Sequence, residues 1–168
     1  VLACSVNFKL NTEISSLQVQ FGQNMLAETN AFRLVVDKKE DLAGLPANLI
    51  ASAAETAKAD SMEGKWVFTL HNPSIMPFLQ YAENRELREK VYNAYYNRGN
   101  TGNEYDNKEI SRKIVTLRLQ KAKLMGFNNY AEMALKDRMA KTPEAVYNLL
   151  DQVWEPAVKK AKEELADI

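Results

Sequence analysis

The sequence predicts a mainly α-helical fold: about seven helices packed with one short two-stranded β ribbon. Three observations carry that reading. Apolar residues recur at three- to four-residue spacing along most of the 168-residue chain. Two short stretches, Arg33-Leu34-Val35-Val36 and Trp66-Val67-Phe68-Thr69-Leu70, have strand composition instead. Helix punctuation (capping Asn, Ser or Thr, first-turn Pro, closing Gly) falls between the periodic segments.

Taken in order, Ile14, Leu17, Phe21 and Met25 predict a helix over 12–29, with Asn11 or Thr12 accepting from its first free amides. The β-branched run at 33–36, bounded by Asp37-Lys38-Lys39, predicts a brief strand. Leu45-Pro46 opens an Ala-rich helix to Ala59 with Pro in its first turn, and Gly64 closes the turn that follows. Trp66–Leu70 is the second strand. Two isolated strands in a helical chain pair most economically with each other, and such a ribbon needs helices to cover it.

After Asn72-Pro73, Ser74 is expected to cap a short helix in which Pro77 falls where no amide is needed. Asn84 starts the next helix, where Leu87, Val91, Ala94 and Tyr95 form one stripe and Glu86 and Lys90 an i,i+4 pair; Gly99 ends it. The polar, turn-rich stretch 100–107 reads as a mobile loop. Ile110, Ile114, Leu117 and Leu124 mark a helix ending at Gly126, and a shorter one covers Tyr130 to Arg138. Thr142-Pro143-Glu144 supplies cap, first-turn Pro and early acid for the last helix. Its stripe runs Val146, Leu149, Leu150, Val153, Trp154, Ala157, Ala161, Leu165, with Pro156 expected to kink or restart it.

Composition bounds the function classes. With 46% hydrophobic and 26% charged residues the chain is an ordinary globular one, and a chain of this length buries about 70% of its unfolded surface. Twenty-two basic residues balance twenty-two acidic ones, so no net field favours nucleic acid or an anionic membrane. No apolar run approaches the ~20 residues that span a bilayer. No repeat period is visible. Cys4 is the sole cysteine, which excludes an internal disulfide. Val1-Leu2-Ala3-Cys4-Ser5 superficially matches a lipoprotein cleavage site, but nothing charged or apolar precedes it, so a buried or terminal thiol is expected. The missing initial Met and the uncapped helical pattern at Glu163–Ile168 suggest that both ends are cut from something longer.

Chemistry-bearing patterns are scarce. Zinc catalysis draws on several His, Cys, Asp or Glu ligands, often in HExxH, and that motif is absent. His71 is the single histidine, and no serine lies in a nucleophile elbow for it to serve as base; a satisfied imidazole at a strand end is the expectation. No glycine pattern cradles phosphate. The basic run Lys108, Arg112, Lys113, Arg118, Lys121 and Lys123 could track a nucleic-acid backbone, yet neutral overall charge and its spread around a helix point to a solvated face or to pairing with the acidic helices. Tyr81, Tyr92, Tyr95, Tyr96 and Tyr105 read mainly as core, a minority as groove lining. Arg85, Arg88 and Arg98 beside them could hold a peptide carboxylate or pair with Glu83, Glu86 and Glu89.

The blocks Trp66–Leu70, Asn72-Pro73-Ser74, Pro77-Phe78-Leu79, Asn84–Lys90 and Tyr92-Asn93-Ala94-Tyr95 resemble the thimet-oligopeptidase-like zinc metallopeptidases, the bacterial peptidyl-dipeptidases (dipeptidyl carboxypeptidases) most of all. Leu117-Arg118, Lys121–Phe127, Tyr130-Ala131 and Arg138–Glu144 continue the match, and Leu42–Pro46 fits upstream; residues 1–8 match least. The resemblance implies that 1–168 is a single helical region, a fragment of the N-terminal, non-catalytic lobe of a larger two-lobed helical peptidase. An absent HExxH catalytic domain would follow it and hold zinc. Short peptides, losing C-terminal dipeptides, would be the substrates and the catalytic lobe the partner, with no nucleic acid or membrane. No catalytic, cofactor-binding or metal-ligating residue carries over, so this chain by itself is expected to be inactive. A cytoplasmic location is expected, with periplasm or cell envelope as the alternative. A stand-alone helical peptide-binding module, using the Tyr and Arg cluster of 81–105, is the competing reading.

Overall fold

The computed structural model describes residues 2–167, with side chains from residue 4 onward. Expectations drawn on Val1 and Ile168 at the two ends lie outside the described residues. The elements are α1 (Leu2–Ala31), β1 (Leu34–Val36), a 3-10 turn (Lys39–Leu42), α2 (Ala47–Ala59), β2 (Trp66–Phe68), α3 (Asn72–Tyr81), α4 (Arg85–Tyr96), α5 (Lys108–Leu124), α6 (Tyr130–Leu135) and α7 (Pro143–Ala166). This is the mainly α fold with one β ribbon that the periodicity predicts. The chain forms two compact units, Ser16–Arg112 and Val1–Ser15 with Lys113–Ile168.

In the unit Ser16–Arg112, β1 and β2 pair antiparallel with Leu34 opposite Phe68, Val35 opposite Val67 and Val36 opposite Trp66. Strand alternation puts Leu34 and Val36 inward and Val35 outward. Helices α2, α3 and α4 close over this ribbon, and their apolar stripes meet it in one core that includes Leu49, Ile75, Phe78 and Val91. Phe68 and Phe78 stack at 4.7 Å between ring centroids, tilted by 57°. Gly44, at φ +81°, lets the backbone before α2 approach the end of α3: a Cβ there would lie 2.1 Å from the Tyr81 carbonyl oxygen.

Several element ends differ from the sequence expectation, each for a local reason. Helix α1 begins at Leu2, not near 12. The carbonyls of an already formed upstream turn supply the partners a cap would have offered, and the Thr12 hydroxyl donates back to the Phe8 carbonyl at 3.0 Å. Pro46 stands just outside α2, where its carbonyl accepts from Leu49 and Ile50. Helix α3 starts at Asn72 with His71 as its flanking residue, because the His71 carbonyl takes the Ser74 and Ile75 amides at 2.8 and 3.0 Å. Ser74 is therefore no cap; its Oγ accepts the Thr69 amide at 3.0 Å. Pro77 now lies inside α3, where it leaves the Pro73 carbonyl without its helical donor.

Asn84 caps α4 as expected, its side chain accepting from the Leu87 amide at 3.1 Å. Its Nδ2 also donates to Asp41 at 2.8 Å, tying α4 to the 3-10 turn.

In the other unit, Ile14, Ile114, Leu117 and Ala122 are buried. Asn129 caps α6 by accepting from Glu132 N, and Glu132 reaches back to the Asn128 amide, a reciprocal cap. Helix α6 ends at Leu135 instead of Arg138: the chain turns through Arg138 N to Leu135 O, and Lys141 adopts φ +63° before the Thr142 cap. Thr142 accepts from Ala145 N at 3.2 Å. Helix α7 continues through Pro156 without restarting. None of its residues is buried, and Leu149, Leu150, Val153, Trp154 and Leu165 of its apolar stripe are exposed.

Candidate functional site

In the unit Ser16–Arg112, His71 flanks the start of α3. His71 is held there by both ring nitrogens, Nδ1 against Thr69 Oγ1 at 3.2 Å and Nε2 against Asn30 Oδ1 at 3.1 Å. Facing a side-chain amide oxygen, Nε2 carries the proton and Nδ1 accepts from the threonine hydroxyl in the neutral ring. The imidazole is thus satisfied just beyond β2, as its sequence position suggests.

Two hollows flank His71. One, of about 590 Å³, lies among α2, β2 and α3 and is lined by hydroxyls of Ser52, Thr56, Thr69, Ser74 and Tyr81, with no charged side chain. The other, of about 530 Å³, is lined by Met25, Leu26, Leu70, Tyr95 and Arg98 among others. Arg98 stacks its guanidinium 3.7 Å from the Tyr95 ring centroid. Its Nε donates to the Tyr95 carbonyl at 2.8 Å and its Nη1 to Thr29 Oγ1 at 2.6 Å.

The other residues of the predicted cluster disperse. Arg88 caps the end of α3 by donating to the Ala82 and Glu83 carbonyls. Arg85 lines a separate shallow hollow with Tyr92. Tyr95 packs against the core as expected, but Tyr81, Tyr92 and Tyr96 are exposed. Tyr92 and Tyr96 stack on one another at 4.3 Å, which shields each ring along the helix surface instead of in the core.

Among the basic residues of α5, Lys108 pairs with Asp106 at 2.8 Å and Arg112 with Glu109 at 2.6 Å, both local contacts. Arg118 lies 5.1 Å over the Tyr130 ring.

Sequence reading gave no role to Glu28, and the structure makes it the anchor of the 99–107 loop. Glu28 is 9% exposed. It accepts from the Gly99 amide, from Thr101 Oγ1 at 2.6 Å and from Asn103 Nδ2 at 2.7 Å. Burial alone would raise its pKa; the bonds from Thr101, Gly99 and Asn103 outweigh that and hold it below the ordinary carboxylate range. Asn107 adds bonds to the Phe21 carbonyl and to Asn24, and Gly99, at φ +74°, brings its backbone against Asn107. Asp106 closes the loop on itself through the Lys108 side chain and the Lys108 and Gly102 amides, and these bonds lower its pKa too. The polar stretch 100–107 is therefore tied down rather than loose. No local signal could have found Glu28, because its partners lie 71 to 75 residues away.

Among the described residues no group of three or more His, Cys, Asp or Glu could hold a metal ion. Cys4 is exposed on α1, and the His71 nitrogens are engaged elsewhere. The donor set does not fit zinc, so no step of chemistry is assigned to a metal in this chain. None of the described helices is long and apolar enough to cross a membrane.

Residues 78–168 match the model of peptidase family M3. The chain is 36% identical to oligopeptidase A of Haemophilus influenzae over 92% of its own length and 23% of that protein's. It is 41% identical to a probable cytosolic oligopeptidase A of Arabidopsis thaliana, covering 90% of the chain and 23% of the relative. To the dipeptidyl carboxypeptidase of Escherichia coli it is 38% identical, over 95% of the chain and 23% of the relative. The chain therefore spans about a quarter of the length of these curated relatives.

Proposed function

Since the chain belongs to peptidase family M3, we propose that it is a non-catalytic lobe of a longer zinc peptidase that hydrolyses short peptides and releases C-terminal dipeptides. The observation that carries this reading is the match of nearly the whole chain to about a quarter of oligopeptidases and dipeptidyl carboxypeptidases, with no converging group of metal donors among the described residues. In this reading zinc and the general base for water come from an HExxH helix elsewhere in the enzyme. This lobe supplies a rigid wall that restricts access to short or unfolded peptides. The bare stripe of α7 supports it: Leu149, Leu150, Val153, Trp154 and Leu165 make an apolar face of the kind that soluble monomers rarely leave uncovered.

The test pairs two proteins. The 168-residue chain, supplied with zinc, should release no dipeptide from a blocked tripeptide, whereas the full coding sequence should do so and lose the activity to a chelator. Chelator-sensitive turnover by the short chain, or endoproteolysis without dipeptide release by the long one, would refute the corresponding half.

A further inference from the structure

We propose that the hollow between α1, the end of β2 and the end of α4 binds the free carboxylate end of a short peptide, with Arg98 as the anion-binding group. This deepens the peptidase reading and rests on it for the ligand class.

The hollow, about 530 Å³, has the volume of a dipeptide- to drug-sized ligand site. Its walls are Met25, Leu26 and Leu70, which suit an apolar side chain. Arg98 lines it as well, and no acidic residue does. No carboxylate pairs with Arg98 among the described residues; its bonds go to a hydroxyl and a backbone carbonyl. A guanidinium has five N–H donors. With Nε and one Nη1 hydrogen engaged, Nη2 and the second Nη1 hydrogen remain to meet an anion.

Three features fix that guanidinium in place. Stacking on Tyr95, the bond to Thr29 and the bond to the Tyr95 carbonyl leave it one orientation, so little freedom is lost on binding. Glu28, next to Thr29 on α1, has its oxygens committed to Gly99, Thr101 and Asn103. His71 forms a wall and not a ligand, since both its nitrogens are taken. A bare anion would gain little from the apolar walls and an uncharged apolar group nothing from Arg98. A carboxylate beside an apolar side chain uses both.

The experiment titrates the 15N-labelled chain at neutral pH with N-acetyl-leucyl-leucine and, separately, with its C-terminal amide. The acid should shift the amide resonances of Leu26, Leu70 and Arg98 and bind about tenfold more tightly than the amide, the worth of one charge-assisted contact. Arg98→Gln should abolish that preference. In case this variant unfolds, Leu26→Glu gives a second arm. Leu26 is 57% exposed, so the fold tolerates the change, and a carboxylate on the wall should weaken the acid about tenfold while sparing the amide. Equal affinity for acid and amide, shifts that miss the hollow, or no shift at millimolar peptide would each overturn the proposal. The titration reads binding by this chain and no hydrolysis, so its failure leaves peptide hydrolysis by the longer enzyme standing, and failure of that hydrolysis leaves the hollow's carboxylate preference standing.

Discussion

Helices α4 and α7 carry the same kind of apolar stripe and meet opposite fates. In α4, Val91 is 1% exposed, and Leu87, Ala94 and Tyr95 pack beside it against the core. In α7, Trp154 is 69% exposed and no residue is buried. Periodicity reports that a face wants burial; it does not report whether the covering surface belongs to the same 168 residues. The difference separates residues that close the core of this chain from apolar residues left exposed on it.

The largest effect should come from the closed side. Phe78→Ala removes a side chain with 0% exposure that stacks on Phe68, and should cost about 3–5 kcal/mol in urea unfolding. If the loss is under about 1 kcal/mol, the ribbon and α3 do not share one core.

Next, Glu28→Gln should cost about 2 kcal/mol and speed hydrogen exchange at the Gly99 amide, because a buried charged acceptor becomes a partly mismatched amide. The folded-state pKa of Glu28 lies below its unfolded value of 4.5, so its stabilisation is complete above that value and is lost as pH falls through the lowered folded pKa. Acid unfolding curves of wild type and E28Q should thus stay fully apart above pH 4.5 and close up as pH falls from there through the lowered folded pKa. Parallel curves at every pH would remove Glu28 from its anchoring role.

Asn84→Ala, which removes the α4 cap and the link to Asp41, should cost about 1 kcal/mol, read as a lower melting temperature. The smallest stability change belongs to the open side. Trp154→Glu should alter unfolding by about 0.5 kcal/mol or less, while reducing any self-association seen by sedimentation. A large loss there would mean that α7 is covered within this chain after all.

Particular residues show what the sequence made legible. The Asn84 and Thr142 side chains, Gly99 and Gly126 mark helix ends because a cap needs only groups three or so residues apart. The same local logic failed at Thr12 and Ser74, where an equally good cap residue was used otherwise: one hydroxyl bonds back along a helix already running, the other takes the Thr69 amide. The satisfied state of His71 was readable from its place at a strand end, but its partner Asn30 was not. Of the three arginines near the tyrosines, only the tertiary contacts tell Arg98, facing a hollow, from Arg88, which caps a helix.

By itself the sequence determined the class of fold, the pairing of two lone strands, most helix ends and, through its separated motif blocks, the peptidase family. These depend on periodicity, caps and composition, which act over a few residues or are recorded block by block along the chain. The tertiary structure alone decided that Glu28 anchors a loop some seventy residues away, that Arg98 faces a hollow, and that the stripe of α7 stays bare. Each depends on which distant surfaces meet, and the energy of a long-range contact leaves no trace in the residues beside it.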